Sequence, residues 1–154
     1  MMQPNEKGTQ KDLVLYRIET SKSDIKAAEI LLAAKEVRGA NNRAYYGIYH
    51  AISAVHALDG NAYKRHKDAL ANFNKNYVKT EIFPRKLGKK IVESEEIRHA
   101  SDYDDFYRAT REEAEEQIQT AKELVSRVEE YVQARWENEG KSIERCGADG
   151  KDSR

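Results

Sequence analysis

Residues Asn41 to Gly60 read NNRAYYGIYHAISAVHALDG, and this stretch decides the fold. Tyr45, Ile48, Tyr49, Ile52 and Val55 recur at the three- and four-residue steps of an α-helix and make one apolar face. Ala44, Gly47, Ala51 and Ala54 make a second stripe of small residues beside it. Small side chains admit another helix at close range and waste packing area unless one arrives. This helix therefore needs partners on two sides. Asn41 or Asn42 suits its N-cap, and Asp59-Gly60 suits its end after Leu58.

Upstream, Thr9 to Gly39 reads as one long helix whose stripe is Val14, Ile18, Ile25, Ala28 and Leu32, with Gly39 as its stop. Downstream, a shorter helix is predicted from about His66 to Tyr77, and Pro84 suits the first turn of the next, with Leu87 and Ile91 facing inward. Arg98 to Tyr107 (RHASDYDDFY) is rich in Asp and Ser and is expected to break helical structure. A last helix is predicted over Arg108 to Trp136, with Ala114, Ile118, Ala121, Val125, Val128 and Val132 as a seam suited to a bundle interior or a dimer. These spans give a flexible N-terminus at 1–10, a helical domain at 11–137 and a disordered polar tail at 138–154.

With 154 residues the chain holds one core, and two prolines with abundant Ala, Glu, Lys and Arg favour helices over sheets. The single cysteine, Cys146, excludes an internal disulfide framework or a cysteine metal cluster. The start MMQPNEKGTQ has no signal-peptide core, and no apolar run nears the ~20 residues of a membrane span, so no membrane association and a cytoplasmic location are expected. The net charge of zero conceals a division. From Tyr63 to Lys90 nine Lys/Arg face only Asp68 and Glu81, a local +7, and from Ile91 to Phe106 six acids face Arg98 alone, a local −5. Such a bipolar chain can bind an anion locally without being basic overall.

NNRAYYGIYHAISAVHAL resembles the second-helix signature of small prokaryotic HEPN proteins, in which Arg-Ala-Tyr-Tyr precedes an aromatic-His-Ala step. The lysine-rich stretch from Tyr63 to Ile91 and the Arg98-x-x-x-Asp102-Tyr103 element before the last helix are similar to the same family, so that the likeness spans roughly Leu13 to Tyr131. The resemblance implies an all-α, antiparallel bundle of four to five helices that forms a homodimer. Many relatives are metal-independent RNases, often toxins paired with a small nucleotidyltransferase-like antitoxin, and others are non-catalytic binding or adaptor modules. The family's RNase motif is an arginine and a following histidine with four to six residues between them, and Arg43 and His50, with six between, fit it as the catalytic pair. Relatives modified by nucleotide transfer carry a tyrosine two residues after that histidine. Ile52 stands here, so that form of control is not expected at this position.

The chemistry of the pair is sound on physical grounds. Seven residues are almost two helical turns, which puts both side chains on one face about 10 Å apart. Arginine clamps a phosphate through two N–H groups and offsets charge in the transition state. Histidine changes charge near neutral pH and can move a proton at the 2′-hydroxyl or the leaving oxygen. A two-fold dimer would supply a second pair, and the small-residue stripe would permit that approach. Asn42, Tyr46, Arg98, Asp102 and Tyr103 are secondary candidates. Arg98 either reaches the same phosphate or pairs with Asp102, with a buried tyrosine pinning the loop. Lys64, Arg65, Lys67, Lys75 and Lys79 are candidates for the RNA backbone, with Tyr63 and Tyr77 placed to stack on bases. His56, His66 and His99 show no metal-ligand spacing, and neither metal nor cofactor is expected.

Overall fold

In the computed structural model the backbone is described for residues 8–152 and the side chains for 8–140. Five α-helices follow in order: α1 Gln10–Ala33, α2 Val37–Leu58, α3 His66–Phe73, α4 Arg85–Tyr103 and α5 Arg111–Asp152. A single π-helical turn, Asn74–Val78, extends α3, and no strand occurs among the described residues. None of the helices there is long and apolar enough to cross a membrane.

Helix α1 begins on a capping box, in which Thr9 Oγ1 accepts the Asp12 N–H at 3.0 Å and the Asp12 carboxylate accepts the Thr9 N–H at 3.1 Å. It ends at Ala33, six residues before the expected stop at Gly39. Lys35 takes the left-handed conformation (φ 67°), and the Lys35 and Glu36 N–H groups close onto the Leu32 and Leu31 carbonyls at 3.0 and 2.8 Å. The hydrogen bonds outweigh a steric cost on the order of 1 kcal/mol. The next helix therefore starts early, and Asn41 is a buried interior residue rather than a cap. Its Oδ1 accepts from Gln117 Nε2 at 3.3 Å, and Gln117 in turn accepts from the Ser94 hydroxyl, linking α2, α5 and α4. The end of α2 agrees with expectation: Gly60 is left-handed (φ 76°) and the Asn61 N–H closes onto the His56 carbonyl at 2.8 Å.

Helices α1 and α2 run antiparallel. Gln10 donates to the Ala57 and Leu58 carbonyls, Arg17 to Ser53, and the Ser21 hydroxyl to Gly47 at 2.6 Å. A Cβ on Gly47 would stand 3.0 Å from Ile25 Cγ1 and 3.7 Å from the Ala121 Cβ, so the small-residue stripe lies in the notch between α1 and α5. The expected approach of a second chain along it is thereby corrected, because the chain's own helices fill the space. The predicted seam of α5 is buried from Ala114 to Val132 in the same core, together with Leu124.

Two further expectations are revised. Helix α4 continues through Arg98 to Tyr103 instead of breaking, held by the Arg98–Asp102 pair one turn apart (3.3 Å) and by Arg38 donating to the Ser101 carbonyl at 2.7 Å. The loop is confined to 104–110, and Thr110 with Glu113 forms the capping box of α5. Helix α5 itself runs to Asp152, past the point where the domain was expected to give way to a tail. The side chains of that segment, Cys146 among them, and the N-terminal residues 1–7 lie outside the described residues.

Candidate functional site

Arg43 and His50 project from the face of α2 that is left open beside α1, and one carboxylate joins them. Asp24 of α1 accepts from Arg43 Nη1 at 2.9 Å on one oxygen and meets His50 Nδ1 at 2.7 Å with the other. Its side chain is only 8% exposed, against 45% for Arg43 and 29% for His50. A buried acid thus holds two half-exposed side chains that carry the opposite charge when protonated. Asp24 fixes the ring so that Nε2, which has no hydrogen-bond partner among the described residues, remains for a reacting group. Only one guanidinium nitrogen of Arg43 is used by Asp24. The Tyr46 ring underlies the guanidinium, 5.4 Å from its carbon.

A second layer joins from α3 and α4. The segment between α2 and α3 brings His66 back against α2, where its ring stacks on Tyr49 (centroids 3.8 Å apart, 19° between planes). The hydroxyl of fully buried Tyr45 lies 3.2 Å from His66 Nδ1, and Tyr46 meets the same ring edge-on at 5.9 Å. Burial, then the neighbouring Arg98 and His50, push the His66 pKa below that of an ordinary imidazole. Burial likewise pushes the Tyr45 phenol above its ordinary value, reinforced by Glu95. Arg98 stands over the Tyr45 ring at 5.3 Å. Its Nε is 3.3 Å from Asp102 but out of line for a hydrogen bond, so that the pair is an ion pair only.

The sequence candidates divide accordingly. Arg43, His50, Tyr46 and Arg98 come together. Asn42 is half-buried at the margin, with Oδ1 lacking a partner among the described residues. Asp102 serves Arg98. Tyr103 is 72% exposed beside His99, not the buried pin that was expected. Lys64, Arg65 and Lys67 are exposed on either side of His66, whereas Lys75 and Lys79 lie exposed farther along, the π turn ending about 18 Å beyond His66 by helical rise. Tyr77 is not free to stack on bases: it is buried and its hydroxyl donates to Asp59. Tyr63 turns its ring toward His56, 4.7 Å away. No group of three or more His, Cys, Asp and Glu side chains gathers among the described residues as a metal site would require.

Sequence reasoning missed Asp24 and the place of His66. Asp24 left one trace, a carboxylate between Ser21, Ile25 and Ala28 on the margin of an apolar stripe. His66 was hidden inside a run of lysines and arginine.

Residues 14–131 match the HEPN domain family model. The chain is 31% identical to a candidate toxin of Methanocaldococcus jannaschii over 115 residues, 75% of this chain and 85% of that protein. It is 28% identical to a UPF0332 protein of Thermotoga maritima over 106 residues, 69% of this chain and 80% of that one. In fold it is similar to the crystal structure of TT1696 from Thermus thermophilus, with a TM-score of 0.65 and 21% identity over 76% of this chain and 96% of the other.

Proposed function

Because the chain belongs to the HEPN domain family, we propose that it is a metal-independent endoribonuclease acting as the toxin of a toxin–antitoxin or defence system. The observation that carries this reading is the buried Asp24 carboxylate, which holds both motif side chains at once. Arg43 keeps guanidinium N–H groups for a phosphate oxygen and meets the negative charge that grows on it as the linkage breaks. His50, oriented through Nδ1, moves a proton at Nε2, and Asp24 balances the charge on the ring when it is protonated. Neither task calls for a metal. Single-stranded RNA suits the arrangement, because an unpaired nucleotide turns its 2′-hydroxyl and phosphate into line. The exposed Lys64, Arg65 and Lys67 beside His66 would hold the backbone as it approaches. The toxin role rests on the Methanocaldococcus relatives, which are candidate toxins, and implies a nucleotidyltransferase-like antitoxin as partner. A homodimer belongs to the same reading.

The test is cleavage of mixed cellular RNA in EDTA by the full chain, wild type against His50→Ala. Cleavage that survives chelation and falls by about 10²- to 10⁴-fold in the variant is the expected result. Folded wild-type protein that cleaves nothing overturns the reading and leaves a non-catalytic binding module.

A further inference from the structure

We infer that His66 is the second proton-transfer residue of this site, taking the proton of the 2′-hydroxyl while His50 gives one to the leaving 5′-oxygen, so that a single chain carries both. The inference rests on the ribonuclease reading above and adds to it a residue outside the arginine–histidine motif.

Cleavage of RNA by internal attack needs two proton movements on opposite sides of one phosphorus. The 2′-oxygen must lose a proton as it bonds to phosphorus, and the 5′-oxygen must gain one as its bond to phosphorus breaks. The products are a 2′,3′-cyclic phosphate and a 5′-hydroxyl, and no oxidant or further reactant enters. One histidine cannot face both oxygens in the same step. His66 and His50 flank the same two tyrosines: the Tyr49 ring is 3.8 Å from His66 and 5.6 Å from His50, and the Tyr46 ring 5.9 and 6.3 Å. They stand close enough for the charge of one to be felt at the other.

The surroundings assign the roles. His50 has a carboxylate behind Nδ1, which suits a ring that begins protonated and delivers its proton from Nε2. His66 has only a phenol behind Nδ1 and two cationic side chains nearby, so that it is the neutral ring and the proton acceptor. The stack on Tyr49 and the Tyr45 contact also do for His66 what Asp24 does for His50: they hold the ring in one orientation. Arg98 stands over the Tyr45 ring, near enough for its charge to act on His66.

The experiment compares the full-length wild type, His50→Ala, His66→Ala and His66→Phe on two dinucleotides, one ordinary and one with sulfur in place of the leaving 5′-oxygen. A thiolate leaves without being protonated, so the sulfur substrate has no need of the acid. On the ordinary linkage all three variants are expected to lose about a hundredfold or more. On the sulfur linkage His50→Ala should return to within about tenfold of wild type, while both His66 variants stay down. His66→Phe keeps a ring on Tyr49, and thermal melts followed by circular dichroism show whether each variant is folded. His66 variants that cleave the ordinary linkage at a rate near that of wild type overturn the inference and leave the ribonuclease reading standing. Rescue of the His66 variants by sulfur overturns the assignment of roles. A wild type inactive on both linkages sinks the ribonuclease reading and this inference with it.

Discussion

Along the middle of α2, Arg43 and His50 share Asp24 beside Tyr46, half open to solvent. At its C-terminal end, buried His56 and partly exposed Asp59 stand beside Tyr77, Tyr131 and partly exposed Arg135. The residue types are the same in both places: histidine, carboxylate, arginine and tyrosine. At the C-terminal end Asp59 accepts from the Tyr77 hydroxyl and, at 2.8 Å, from Arg135, which also donates to Tyr131 at 2.8 Å. His56 is 1% exposed and contacts the Ala69 carbonyl through Nε2 at 2.8 Å. Asp59, Tyr77, Arg135 and Tyr131 direct hydrogen bonds at one another and tie α2, α5 and the π turn together, while His56 Nδ1 is buried without a partner among the described residues. In the open cluster the buried member is the acid, and the arginine and histidine keep donors turned outward. The difference teaches that residue type alone does not tell a cluster whose members bond to one another from one that keeps donors turned outward; what separates them is which member is buried and what it leaves unused.

Exchanging one acid in each cluster breaks this comparison if it is wrong. Asp24→Asn should have the largest effect, an RNA-cleavage rate lower by about a hundredfold with the fold retained, because the amide presents a donor where His50 needs an acceptor. Equal activity would place Asp24 among purely structural groups. Asp59→Asn should do the reverse. It should leave cleavage within about threefold of wild type and lower stability in urea unfolding by about 1–2 kcal/mol, a sum discounted for the partial exposure of Asp59 and Arg135.

The smallest effect is a pH slope. Burial holds the His56 pKa below its unfolded value of 6.5, against the pull of the Ala69 carbonyl and Asp59. The unfolded chain then binds more protons than the folded one. This contribution is fully present above pH 6.5 and is lost as pH falls from there toward the folded value. His56→Gln, compared with wild type in melts from about pH 7.5 to 5, should flatten that slope without touching the dependence that His66 contributes from the open cluster. An unchanged slope would show that His56 titrates alike in the folded and unfolded chain.

The helical pattern was legible because apolar spacing reports burial directly. The stripes of α1, α2 and α5 are buried as they were read, apart from half-buried Tyr49. The boundaries were not, because lysine took the left-handed position that glycine was expected to fill. The hydrogen bond from Arg38 and the Arg98–Asp102 ion pair also kept helical a segment whose composition favours turns. Within the site, Arg43 and His50 could be read since their relation lies within one helix. Asp24 and His66 reach them only through the packing of α1 and α3, and no local spacing records that. Tyr77 was misjudged for the same reason: the π turn aims it at Asp59, which the sequence around it does not announce.

The site draws Asp24 from α1, Arg43 and His50 from α2, His66 from α3 and Arg98 from α4, and Gly47 at its back is covered by Ala121 of α5. A ribosome makes these pieces in that order. Until α5 has been synthesised, the α1–α2 pair has an apolar side with nothing to lie against, and a domain folds as a unit only when such a side is covered. Most of the chain must therefore leave the ribosome before the polar cluster is held in place. On the ribonuclease reading, the chain is expected to gain its activity only once α5 has been made.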